Sequence, residues 1–269
     1  AALLLFVFNA DRLSVMFVGA MCAVGTLNVN GWGFPSLITQ MAVFFLAATW
    51  LAINHVDTLA RDYPLVRIKY ALLLLLLPVL MTSFWLELQY FLGLKANVIT
   101  SCCGSMFSEE SKTIAAEASG LEPEPALWLF YAGMVAAIAA PLWHRRLGGR
   151  ISGFLTALTS GAGFVAAIAG VLSFISLYIY EHPHHHCPFC ILKPEYDYQG
   201  YWLYVPLFIA TAAGLGVGAM QAFARRPSLA SIVPHVSSRL AGLSVGGFIL
   251  FTVLATWFVL SSNLILIEH

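Results

Sequence analysis

The sequence predicts an all-α integral membrane protein: a polytopic helical bundle of about seven transmembrane helices with two longer extracytoplasmic loops. Three observations carry this. Of 269 residues, 60% are hydrophobic and only 10% charged, with a mean hydropathy of +0.84, whereas soluble domains run near ~25% charged. Apolar runs of about 18 residues recur along the chain, each long enough to cross a hydrocarbon core of about 30 Å. Lys and Arg gather in alternate loops, as the retention of basic residues on the cytoplasmic side requires. In lipid the backbone must satisfy its own hydrogen bonds, and runs of this length do so as helices rather than barrel strands. The chain is read as one transmembrane domain, 1–269. Its formal net charge is zero and it has no large basic block, which speaks against a nucleic-acid partner.

The elements follow in order. Ala1–Phe8 is apolar but too short to span, and lacks the basic segment of a secretory signal; it is read as an interfacial helix, a half-span or the remnant of a longer span. A first span is predicted over Leu13–Val29, then a polar turn Asn28–Pro35 with Gly and Pro punctuation and an interfacial Trp32. Further spans are predicted over Ser36–Asn54, Tyr70–Leu94, Ala126–Trp143, Ile151–Tyr180, Tyr201–Phe223 and Leu240–Ile267. Glycines along the fifth and sixth of these (Gly161, Gly163, Gly170, Gly214, Gly216, Gly218) predict close helix approach.

With seven spans, Arg12, Arg61, Arg67, Lys69, Arg145, Arg146, Arg150, Arg225, Arg226 and Arg239 fall on one side, ten of the thirteen basic residues. That side is taken as cytoplasmic. The Asn28–Pro35 turn, the loops 95–125 and 181–200 and the C-terminus then lie outside, in the periplasm if the membrane is a bacterial inner membrane. Four of the five cysteines (Cys102, Cys103, Cys187 and Cys190) thereby face an oxidising compartment. Cys22 falls mid-span and is read as a small apolar packing residue.

The chemistry concentrates in His182-Pro183-His184-His185-His186-Cys187-Pro188-Phe189-Cys190, which holds four of the eight histidines within nine residues. Imidazole and thiolate together suit copper or zinc, and Cys-x-x-Cys is a common two-ligand bite for tetrahedral metals. Pro183 and Pro188 deny a regular helix across the cluster. The alternatives are a reversible disulfide between Cys187 and Cys190, with the histidines lowering a thiol pKa, or a structural staple under an exposed His-rich loop. A c-type haem is disfavoured because Ile191 stands where Cys-x-x-Cys-His needs its histidine. A b-type haem is disfavoured because His55, near the inner end of the second span, has no facing partner; His144 and His235 sit in or beside loops. In the other outer loop the vicinal pair Cys102-Cys103, with Met106 nearby, offers paired soft ligands, an exchanging thiol, or one half of a loop-to-loop disulfide.

The quartet Cys187-Pro188-Phe189-Cys190 resembles the active-site quartet of glutaredoxins, which implies thiol–disulfide chemistry. Two outer cysteine pairs at the rim of a helical bundle resemble, in layout, the quinone-coupled disulfide-forming membrane proteins and the vitamin K epoxide reductases. That resemblance implies electron relay between Cys187/Cys190 and Cys102/Cys103, with a quinone as co-reactant.

Glu87, within the third span, is a candidate for proton relay, quinone contact or ion ligation. Tyr196, Tyr198, Tyr201, Trp202 and Tyr204 read as an interfacial belt. No nucleotide motif, Ser-His-Asp set or hydrolytic carboxylate pair is apparent. The leading functional expectation is a soft-metal site on His182, His184, His185, His186, Cys187, Cys190, Cys102 and Cys103. It would serve metal handling, assembly, or a larger electron-transfer complex with other membrane or periplasmic subunits. A membrane thiol–disulfide oxidoreductase is the second expectation, so enzymatic activity stays open. A structural subunit with disulfide-stapled loops is the third.

Overall fold

The structure, a computed structural model, describes residues 2–95, 97–100, 123–183 and 185–264. Its helices are α1 (Ala2–Leu13), α2 (Ala23–Leu27), α3 (Gly33–Leu59), α4 (Val66–Leu92), α5 (Pro123–Leu147), α6 (Arg150–Gly170), α7 (Ser176–Tyr180), α8 (Gln199–Gln221) and α9 (Ile232–Ser261). A π-helical turn, Val171–Ile175, joins α6 to α7 without a break. There is no strand among the described residues. Among the described residues six helices are long and apolar enough to cross a membrane: α3, α4, α5, the continuous α6–α7 rod, α8 and α9. Their outward leucines, such as Leu74, Leu75 and Leu158, are exposed, as a lipid-facing surface requires.

The first predicted span does not form. Leu13–Val29 is apolar enough but is interrupted at Gly19, whose φ is +87° and whose Cβ position would lie 2.0 Å from the Thr100 carbonyl oxygen. Only glycine fits there. Thr100 donates its N–H to Val18 (2.9 Å) and its hydroxyl to the Gly25 carbonyl (2.8 Å), fixing the irregular stretch. Cys22 follows in extended conformation at the start of α2. Segment 2–29 therefore folds back at one end of the bundle. Phe6 of α1 packs edge-on against Tyr90 near the end of α4, with ring centroids 5.5 Å apart.

That end also gathers the start of α3, the 97–100 segment and the loop after α7, where Glu181 accepts hydrogen bonds from Asn263 beyond α9. Arg12, expected among the cytoplasmic basic residues, lies at this end as well, because the segment carrying it does not cross. Its neighbour Asp11 sits 3.8 Å from Lys193 Nζ.

The opposite end holds Arg61, Arg67, Lys69, Arg145, Arg146, Arg150, Arg225, Arg226 and Arg239. There Lys69 pairs with buried Asp57 at 2.8 Å and donates to Asn54 at 3.0 Å. His144 of α5 bonds Ser152 (2.8 Å) and Ser237 (3.1 Å), joining α5, α6 and α9.

The core between α5, α6, α8 and α9 is built from Phe130, Met134, Ala167, Phe174, Leu207 and Phe248 with their neighbours. Five of the six predicted glycines serve close helix approach, whereas Gly161 has open space at its Cβ position. A Cβ on Gly214 would meet Ser160 Oγ at 2.0 Å, and one on Gly218 would meet Ala157 Cβ at 2.4 Å. Helix α4 touches chiefly α3, which leaves its leucines toward lipid.

Candidate metal centre

Three cysteine sulfurs converge at the end of the bundle where segment 2–29 folds back. Cys22 comes from the extended residue before α2, and Cys187 and Cys190 from the loop after α7. Their Sγ atoms all lie within 4.8 Å of one another, and Cys22 Sγ is 3.3 Å from Cys187 Sγ. All three are buried, Cys22 and Cys187 at 0% exposure. Val24, Phe34, Phe189, Tyr180 and Tyr196 wall them in.

The loop is shaped from both sides. Tyr180, the last residue of α7, donates its hydroxyl to the Cys187 carbonyl, and Tyr204 of α8 donates to the Pro188 carbonyl at 2.7 Å. Glu181 turns the chain out of α7 in the left-handed region (φ +52°). Cys190 opens a 3-10 turn, Cys190–Leu192, in which Leu192 N–H reaches the Phe189 carbonyl at 3.0 Å. Lys193 donates to the Met21 carbonyl and so ties the loop to the segment bearing Cys22.

The spacing has chemical content. A disulfide needs its sulfurs about 2.05 Å apart, so at 3.3 Å the Cys22–Cys187 pair is two separate thiols. Metal–sulfur bonds of about 2.3 Å in tetrahedral array imply sulfur–sulfur edges of about 3.8 Å. The cluster lies close to that geometry and needs only small side-chain shifts to reach it.

The Cys187 thiol is pushed well above its ordinary value, first by its hydrogen bond with Cys190 and then by burial, while its contact with Cys22 pulls the other way. Such a shift disfavours the thiolate, which is both the nucleophilic and the metal-binding form of cysteine. A bound cation supplies the positive charge that buried thiolates lack.

This chain matches no protein family, no curated protein and no solved structure.

Of the residues singled out in the sequence, the structure brings Cys187 and Cys190 together and adds Cys22, which sequence reasoning treated as a mid-span packing residue. Cys22 is not mid-span, because that span does not exist. No local pattern points to it, since the spanning helices α6 and α8 carry as many glycines as the stretch around Cys22. Among the described residues no histidine joins the sulfur cluster. His182 is exposed. His185 stacks on Tyr180 with centroids 4.0 Å apart, and its Nε2 is buried without a hydrogen-bond partner. Burial, then His182 and His186, hold the His185 pKa below its usual value. His186 Nδ1 lies 2.8 Å from the Leu172 carbonyl oxygen in the π turn.

Cys102, Cys103, Met106 and His184 lie outside the described residues. Glu87 is half-buried on α4, one turn before Tyr90, and is not part of the sulfur cluster. The tyrosines are more than an interfacial belt. Tyr198, Tyr201 and Trp202 are exposed, but Tyr204 pins the cysteine loop and Tyr196 packs edge-on against Tyr180 at 4.6 Å.

Proposed function

We propose that this integral membrane protein binds a soft transition metal ion, copper first and zinc second, on Cys22, Cys187 and Cys190. The observation that carries the reading is the convergence of three buried thiols from two distant segments. Sulfur-rich, carboxylate-free donor sets favour Cu(I), and zinc accepts the same ligands. The centre lies at the end of the bundle away from nine of the basic residues. That bias supports an extracytoplasmic site, periplasmic if the host is a bacterium with this protein in its inner membrane. There the protein would serve metal handling, assembly or an electron-transfer complex with further subunits. Elemental analysis of the purified, reduced protein tests this. One equivalent of copper or zinc per chain is expected, lost in Cys187→Ser/Cys190→Ser; wild-type protein without bound metal after incubation with either ion overturns it.

One observation favours a second reading. Cys187 contacts both other thiols, so a disulfide formed with Cys190 by loss of two electrons and two protons to a quinone could be passed to Cys22 by exchange. This oxidoreductase reading requires the cysteines to cycle in cells. Alkylation that finds all three permanently reduced excludes it.

A further inference from the structure

We infer that His186 is a loading ligand: a soft metal ion reaches the three buried thiols through the Nε2 atom of this imidazole. The inference rests on the three-thiol reading and adds the route by which the site fills.

The tautomer of His186 follows from its partner. A carbonyl oxygen only accepts, so the Nδ1 atom 2.8 Å from Leu172 O carries the hydrogen. In the neutral ring Nε2 then holds a lone pair. Metal-binding histidines are commonly oriented this way, with the second nitrogen donating to a backbone carbonyl. Such a bond can also be only structural, so position must decide.

His186 is half-buried, and the next residue in the chain, Cys187, is fully buried. Exposure falls from His182 through His185 and His186 to Cys187. A hydrated ion cannot meet sulfurs at 0% exposure while keeping its water shell, so it needs nitrogen ligands at the rim to replace that water first. His185 adds a second point: its buried Nε2 has no hydrogen-bond partner, and its ring stacks on the same Tyr180 whose hydroxyl holds the Cys187 carbonyl. Copper(I) and zinc accept both imidazole and thiolate, which makes stepwise transfer feasible. In each step a metal–nitrogen bond breaks as a metal–sulfur bond forms, and the thiol proton leaves to water. The oxidation state of the metal does not change.

Asparagine separates the two roles of His186, because its side-chain amide can donate to Leu172 as Nδ1 does but offers nothing in place of Nε2. The experiment mixes reduced, metal-free full-length protein with copper(I), supplied anaerobically as its acetonitrile complex, and follows copper–thiolate absorbance. His186→Asn and His186→Ala are both expected to fill at least tenfold more slowly than wild type and to reach the same final stoichiometry. A His186→Asn rate within twofold of wild type would leave His186 a purely structural role and overturn the inference. Loss of stoichiometry in His186→Asn would make it a resident ligand and overturn it equally. Absence of copper uptake by the wild-type protein, in contrast, defeats the three-thiol reading itself.

Discussion

Cys22 and Cys187, 165 positions apart and both fully buried, place their sulfur atoms 3.3 Å from each other. The contact joins the folded-back N-terminal segment to the loop after α7 and completes a cluster that the Cys-x-x-Cys motif alone cannot form. Cys22→Ser is accordingly expected to lower metal content from one equivalent to below a tenth, as severely as Cys187→Ser does. Elemental analysis of the two variants side by side checks this.

The two tyrosines that hold the loop should control access to it. Tyr204→Phe removes the 2.7 Å hydrogen bond to the Pro188 carbonyl, worth about 1 kcal/mol net. That energy corresponds to roughly fivefold more frequent opening of the loop. Alkylation of Cys187 and Cys190 in metal-free Tyr204→Phe should accelerate by about that factor, with no change at a site away from the loop.

At the opposite end, Asp57 and Lys69 form a buried ion pair, and Asp57 Oδ1 also accepts the Leu65 N–H at 2.7 Å just before α4. Removing one partner strands the other charge, at a cost of about 3–5 kcal/mol. Lys69→Met is expected to destabilise the protein by that amount, whereas Asp57→Asn/Lys69→Met should cost far less, since Asn keeps the acceptor for Leu65. Unfolding in mixed detergent micelles measures both; equal losses in the single and double variants would contradict the assignment.

The Cys187 thiol gives the metal-free protein an alkaline limit. Its folded-state pKa is raised, foremost by the hydrogen bond with Cys190 and then by burial, so the folded chain keeps this proton at a pH where the unfolded chain has lost it. The contribution is complete below the ordinary thiol range and is lost as pH climbs toward the folded value. Metal-free wild type should lose stability above about pH 9, the thiol's ordinary value, and Cys187→Ser should flatten that slope. Metal binding must show the opposite sense, weakening as pH falls, because the bound form requires thiolates.

The bundle was legible in the sequence because lipid-spanning helices are set by the length of apolar runs: five of the predicted spans lie within or close to the observed ones, and a sixth, Leu240–Ile267, overlaps α9 (Ile232–Ser261) but starts eight residues late and runs past its end. The first failed for a reason that apolar length cannot register. Gly19 adopts a left-handed turn against Thr100, a residue 81 positions later, and that long-range contact decides that Leu13–Val29 folds back. The error carried Arg12 and Cys22 with it. In the site, Cys187 and Cys190 announced themselves by spacing, but the identity of their third partner depended on tertiary packing. Among the described residues of the histidine run, His185 lies on Tyr180 and His186 against the Leu172 carbonyl, and neither of those partners forms a local sequence pattern with them. Asp57 likewise carried no sequence signal beyond its charge.

In the proposed centre, sulfur from Cys22, Cys187 and Cys190 makes the first coordination sphere of a soft metal. X-ray absorption at the metal edge of the reduced, zinc-loaded protein tests it most directly. Three sulfur scatterers at about 2.3 Å are expected, and Cys22→Ser should retain too little metal to show that shell. A shell dominated by nitrogen or oxygen in the wild-type protein would contradict the account.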